Sequence, residues 1–142
     1  MSVICKTKSA HLIQIGMGII KVSINEGVTI DQEVAIENYL AVDKLLDGRK
    51  HACIIDKRAN SVMETPEAFE FNTSEKVRKT RVASAYIVKS PLKKLVRNIK
   101  LKLNKTETCV KFFTKESKAL EWVKFKIIEE DLKNNDVLRS KN

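Results

Sequence analysis

The feature that most narrows what this chain can fold into is an ordered alternation of strand-like and helix-like segments. Ile13 and Ile15, then Gly16-Met17-Gly18, then Ile20, Val22 and Ile24 read as two arms of a β-hairpin, with apolar residues alternating on both arms and glycines at the turn. Asn25-Glu26-Gly27 closes the second arm. Asp31 then reads as the N-cap of a helix running to about Asp47, with Gly48 just past its end. Val34, Asn38, Ala41, Val42 and Leu45 form its expected inward stripe.

Ala52 to Ile55 is a short apolar run that ends in Asp56, the pattern of a buried parallel strand. Thr65-Pro66-Glu67 is a helix start: Thr65 caps, proline takes the first turn, and the glutamate meets the positive end of the helix dipole. That helix is expected to break near Asn72-Thr73-Ser74 and to resume toward Lys79. Val82 to Val88 is the next strand, and Ser90-Pro91 opens a helix to about Leu103. Cys109 to Phe113 is the last strand, and Thr114 is the expected cap of a final helix carrying Ala119, Leu120, Trp122 and Val123. The order is ββαβαβαβα. Strands separated by helices require crossovers, so the expected fold class is α/β, a mixed, mostly parallel sheet with an N-terminal β-hairpin. One domain is expected over residues 1–129, with 130–142 a polar, disordered tail.

Composition excludes several classes. A chain of 142 residues suits one domain with a core of its own. No apolar run approaches the roughly 20 residues of a membrane-spanning helix, and the first residues carry no signal-peptide pattern, so a cytoplasmic location is expected. The three cysteines, Cys5, Cys53 and Cys109, form no Cys-x-x-Cys or Cys/His cluster and read as buried, unreactive thiols. His11 and His51 lack ligand spacing to any second residue, so neither a metal nor a cofactor is expected. No nucleophile elbow, phosphate-binding glycine loop or dinucleotide fingerprint is present, and no acid–base pair stands out, which argues against an enzyme.

The net charge of +9 is concentrated. Residues 76–105 hold eleven basic residues and no acidic one, against sixteen basic and eighteen acidic elsewhere. Such an excess favours acidic partners. The eight aromatic residues are not interleaved with the cations, so nucleic acid is not the expected partner.

With these elements laid out, the chain resembles the SpoIIAA-like branch of the STAS fold, and more closely a group of small uncharacterised bacterial STAS-like proteins. The resemblance is carried by Val28-Thr29-Ile30-Asp31, Ile54-Ile55-Asp56, Ala83 to Pro91, Leu101-Lys102-Leu103-Asn104-Lys105, and Phe112-Phe113-Thr114 followed by Ala119-Leu120-Glu121-Trp122. It covers roughly residues 11 to 125 and implies a regulatory or interaction module of unknown function. Anti-sigma antagonists of that fold are switched by phosphorylation of a serine after the middle strand. The matching stretch here is Met63-Glu64-Thr65-Pro66-Glu67, in which the acceptor falls on Pro66 and the nearest hydroxyl is Thr65. Thr65 reads first as an N-cap.

Two candidate surfaces remain. On the helix from Leu92 to Leu103, Lys93, Lys94, Arg97 and Lys100 share one arc with Leu101, opposite an apolar stripe. That arc reads either as a solvated helix back or as a docking face for an acidic protein partner, or for an anionic membrane surface. At the carboxyl ends of the strands, Asp56, Arg58, Lys89, Ser90 and Thr114 could hold a small anion or a lipid head group, or could merely cap and order their loops. Ile36 and Leu40, one helical turn apart, could add a homodimer patch or pack under a loop. The leading expectation is a non-enzymatic module that docks a protein partner through exposed helix faces; the alternative is the anion or head-group binder.

Overall fold

The computed structural model describes residues 3–90 and 109–140. Six strands form one sheet: β1 (Val3–Lys6), β2 (Ala10–Gly16), β3 (Ile19–Ile24), β5 (His51–Asp56), β7 (Arg81–Ile87) and β8 (Val110–Phe113), adjacent in that order. The first three run antiparallel, and β3, β5, β7 and β8 run parallel. The expected fold class, a mostly parallel α/β sheet opening on a hairpin, is the one observed. The hairpin turns at Met17-Gly18, where Gly18 takes a φ of 70° that a side chain would resist. Two features exceed the expected order. Strand β1 adds an edge beside β2, and two short strands, β4 (Thr29–Ile30) and β6 (Met63–Glu64), pair in parallel as a separate ribbon. Both are too brief to show a period-two pattern in the sequence.

Side chains alternate across the pleat, so the sheet buries two faces. One carries Leu12, Ile20, Val22, Cys53, Ile55 and Tyr86 beneath helices α1 (Gln32–Leu46) and α2 (Pro66–Asn72). The other carries Ile54, Ala83, Ala85 and Ile87 beneath the last helix, α4 (Glu116–Ser140). Alanines at Ala52, Ala83, Ala85 and Ala119 let that helix approach the sheet closely. Fully buried Ile54 and Ile87 fill the remaining space, each contributing about 1.5–3 kcal/mol.

The caps read from sequence are in place at two helices. Asp31 accepts the Val34 N–H at 2.9 Å, and Thr65 Oγ1 accepts the Ala68 N–H at 3.1 Å. Helix α2 ends at Asn72, and a short helix, α3 (Glu75–Arg78), follows, matching the expected break. Three details differ. The buried stripe of α1 is Ala35, Asn38, Tyr39, Val42 and Leu46, because the helix packs against α2 as well as the sheet; Tyr39 meets Phe71 edge-on at 5.6 Å. Val34, Ala41 and Leu45 line the margin of that contact. The final helix does not end near residue 129 but runs to Ser140. Its last turns contain neither glycine nor proline, and their polarity, which suggests disorder, does not oppose a helix. Thr114 is not its immediate cap: the helix opens at Glu116, and the Lys115 carbonyl accepts the Ala119 N–H at 3.2 Å.

Of the cysteines, Cys53 is fully buried while Cys5 and Cys109 are half-buried, and all three are free thiols. Burial raises the Cys53 thiol above its ordinary value. His51 opens β5 at 2% exposure. Its Nδ1 lies 2.9 Å from the Arg49 carbonyl, which can only accept, so the proton is on Nδ1; Nε2 is buried without a partner. Burial lowers its pKa below 6.5; the Arg49 carbonyl opposes this and Arg81 adds to it. The folded chain therefore refuses a proton that the unfolded chain accepts. Stability is expected to fall as pH drops below the ordinary value of 6.5, with a slope of at most about 1.4 kcal/mol per pH unit, and to level off below the folded pKa. Urea unfolding of wild type and His51→Gln between about pH 7.5 and pH 5 measures this. The wild type should show the larger loss, His11 being common to both.

Candidate functional site

The densest polar constellation lies where β5 ends. Asp56 and Lys57 are consecutive and point to opposite faces of the sheet, so each starts a separate ionic network.

On the α4 face, Asp56 is held by Arg58 through a two-pronged contact, Nε to Oδ1 at 2.9 Å and Nη2 to Oδ2 at 2.7 Å. The Arg58 backbone N–H donates to Oδ1 as well, at 3.0 Å. Lys21, from the neighbouring strand β3, lies 3.6 Å from Asp56 and 2.6 Å from Glu116 in the first turn of α4. Glu116 also contacts Arg58 at 3.3 Å, closing a ring of two cations and two carboxylates. Burial alone would raise the Asp56 carboxyl. The Arg58 hydrogen bonds, then the charges of Arg58 and Lys21, outweigh it and leave Asp56 below its ordinary value. Asp56 in turn raises Arg58.

On the α1/α2 face, Lys57 Nζ lies 2.9 Å from Glu64 Oε1, and these side chains are 7% and 4% exposed. The Tyr86 hydroxyl donates to Glu64 Oε2 at 3.3 Å, and the ammonium lies 5.5 Å from the centre of the Tyr86 ring. Burial first, and the Glu64 charge second, raise Tyr86 well above its ordinary value and keep it protonated. Glu64 belongs to β6, so this pair fastens the β4–β6 ribbon to the sheet. Nothing in the sequence pattern marks it. Lys57 and Glu64 lie seven positions apart across a polar loop, and the parallel pairing of β4 with β6 is what makes them meet.

Of the residues expected at the strand ends, Asp56 and Arg58 are thus in direct contact. Lys89 donates instead to the Asn60 side chain, and Ser90 and Thr114 are exposed. Lys93, Lys94, Arg97, Lys100 and Leu101 lie outside the described residues. Thr65 is occupied as the cap of α2. Leu40 is exposed and Ile36 half-buried on α1. Among the described residues, no three or more of His, Cys, Asp or Glu gather as a metal set.

Removing one member of a buried ion pair strands the other charge, which costs about 3–5 kcal/mol, whereas replacing both is far less damaging. Lys57→Met alone is therefore expected to destabilise by that amount. Lys57→Met combined with Glu64→Gln should recover at least half of the loss, as read from chemical denaturation of the three variants.

The comparisons with known proteins stay close to the fold. No curated protein matches the sequence. A crystal structure of an uncharacterized protein from the DUF3478 family with a SpoIIAA-like fold, from Shewanella loihica PV-4, is similar at a TM-score of 0.49 and 17% identity, over 74% of this chain and 82% of that one. Among the described residues no helix is long and apolar enough to cross a membrane. A family model described as a domain of unknown function, DUF7793, matches residues 13–126, and the chain belongs to that family.

Proposed function

We propose that this protein is a STAS-like interaction module, without catalytic chemistry of its own, that docks through exposed helix faces in the cytoplasm. The observation that carries this reading is on the outer side of α4. Ala119 and Val123 face the sheet, while Phe125, Ile128 and Leu132 are each 58% exposed. At 100° per residue these three fall within an arc of roughly 60° centred opposite Val123. Their 3–4 spacing is that of a coiled-coil seam.

The occupant we favour is a second copy of this chain, with the two α4 helices antiparallel. Lys124 and Asp131 flank the seam on one side, seven positions apart, so that arrangement sets each Lys124 against the partner copy's Asp131. Helix α4 holds six acidic and five basic residues in a chain of net charge +9, so self-repulsion is weakest along it. The arc expected at Lys93, Lys94, Arg97, Lys100 and Leu101 is a second docking face in this reading, suited to an acidic protein.

Light scattering after size exclusion tests the first face. Wild type is expected to be a dimer. Ile128→Glu should be a folded monomer, because within one copy the side chain faces water, and its melting temperature should fall only by what dimerisation contributes and lose its dependence on protein concentration. Lys124→Glu should weaken the dimer, and adding Asp131→Lys should restore it. A wild-type chain that stays monomeric up to its solubility limit contradicts the seam.

A further inference from the structure

One cation of the basic stretch does not face water. Arg81 opens β7, where the register slips between His51 and Ala52 and turns the side chain inward beneath α1. Arg81 is 4% exposed, and its Nε and Nη1 are both buried without a hydrogen-bond partner. None of the ion pairs among the described residues includes it. A guanidinium does not shed its proton in a protein, and a buried ion without a partner costs several kcal/mol. Among the described residues nothing balances this charge.

The same side chain lines a cavity of about 20 Å³ between the sheet and α1, together with Asn38, Tyr39 and Asn72. The rest of the wall is aliphatic, including Ile24 and Ile55. That volume accommodates one particle of about the size of water and is too small for sulfate, phosphate or a carboxylate ligand. Asn38 is already engaged: its amide nitrogen donates to Ser9 Oγ at 3.0 Å, and its carbonyl accepts from Thr7 at 2.7 Å. A neutral water would satisfy an N–H but leave the charge uncompensated. A polarisable monatomic anion meets both needs and tolerates the aliphatic wall.

We propose that the chain binds a single halide ion, chloride under ordinary conditions, in this small pocket on the Arg81 guanidinium. The site is separate from the β5-end networks and from the α4 seam. Because a ligand held only by the folded state stabilises it by mass action, each tenfold rise in chloride above its dissociation constant should shift the unfolding equilibrium about tenfold toward the native state. Thermal melts in sodium chloride and sodium gluconate at equal ionic strength and pH read this directly. The melting temperature of wild type should rise with chloride and not with gluconate, and Arg81→Met should show no difference between the salts. Crystals grown in sodium bromide supply a measurement that needs no variant: an anomalous peak is expected within hydrogen-bond reach of Arg81 Nε or Nη1. Identical melts in the two salts, a chloride response retained by Arg81→Met, or an empty cavity in bromide would each overturn the proposal.

Discussion

Strand β5 is the element on which the other layers depend. All six of its residues, His51 to Asp56, are buried, because it has β3 on one side, β7 on the other, and helices over both faces. Its apolar positions divide between the two cores, with Cys53 and Ile55 under α1 and α2 and Ala52 and Ile54 under α4. Where the apolar run stops, the pleat continues to alternate, and Asp56 and Lys57 carry one ionic network to each face. The strand end therefore fixes the start of α4 through Glu116 and the β4–β6 ribbon through Glu64. These contacts hold their charges against one another and so position the elements that carry them. Asp56 stays ionised and Tyr86 stays protonated.

The same layering explains why α4 is the prominent exposed element. Its first turn touches the carboxyl ends of the strands, and Glu130 pairs with Lys50 just before β5 begins. About fourteen residues thus cross the sheet, while the whole helix has 25 residues and a length near 37 Å, compared with about 20 Å for a six-residue strand. The final turns extend past the sheet edge. A helix that overhangs its own core and bears apolar residues on its outer side presents a stripe, Phe125, Ile128 and Leu132, that stays exposed among the described residues.

Much of this architecture is legible from residue order alone. The hairpin, the buried strand before Asp56, and the caps at Asp31 and Thr65 all follow from local patterns that tertiary structure leaves intact. Where local pattern ends, legibility ends with it. Two-residue strands have no periodicity to detect. The α1 stripe shifts because a second helix, invisible to a wheel drawn on one sheet face, takes part of its surface. Polar composition suggests a frayed tail where, with no glycine or proline to stop it, the helix continues to Ser140. At the strand ends, Asp56 and Arg58 were readable, being two positions apart, but their partners Lys21 and Glu116 come from 35 and 60 positions away from Asp56 and meet it only through the fold. Arg81 shows the limit most plainly: within a run of cations it reads as solvated, and a one-residue slip in strand register puts it in the core.

Native-state hydrogen exchange, resolved by residue, tests the primacy of β5 most directly. If the central strand and its two ionic networks organise the molecule, the amides of residues 51–56 and the adjoining 81–87 should exchange only through global unfolding and at the highest free energy. Residues 131–140, beyond the sheet, should exchange fastest within α4. Exchange of β5 through a local opening, while α1 or the β1–β2 edge remained the most protected part, would contradict the central role assigned to it.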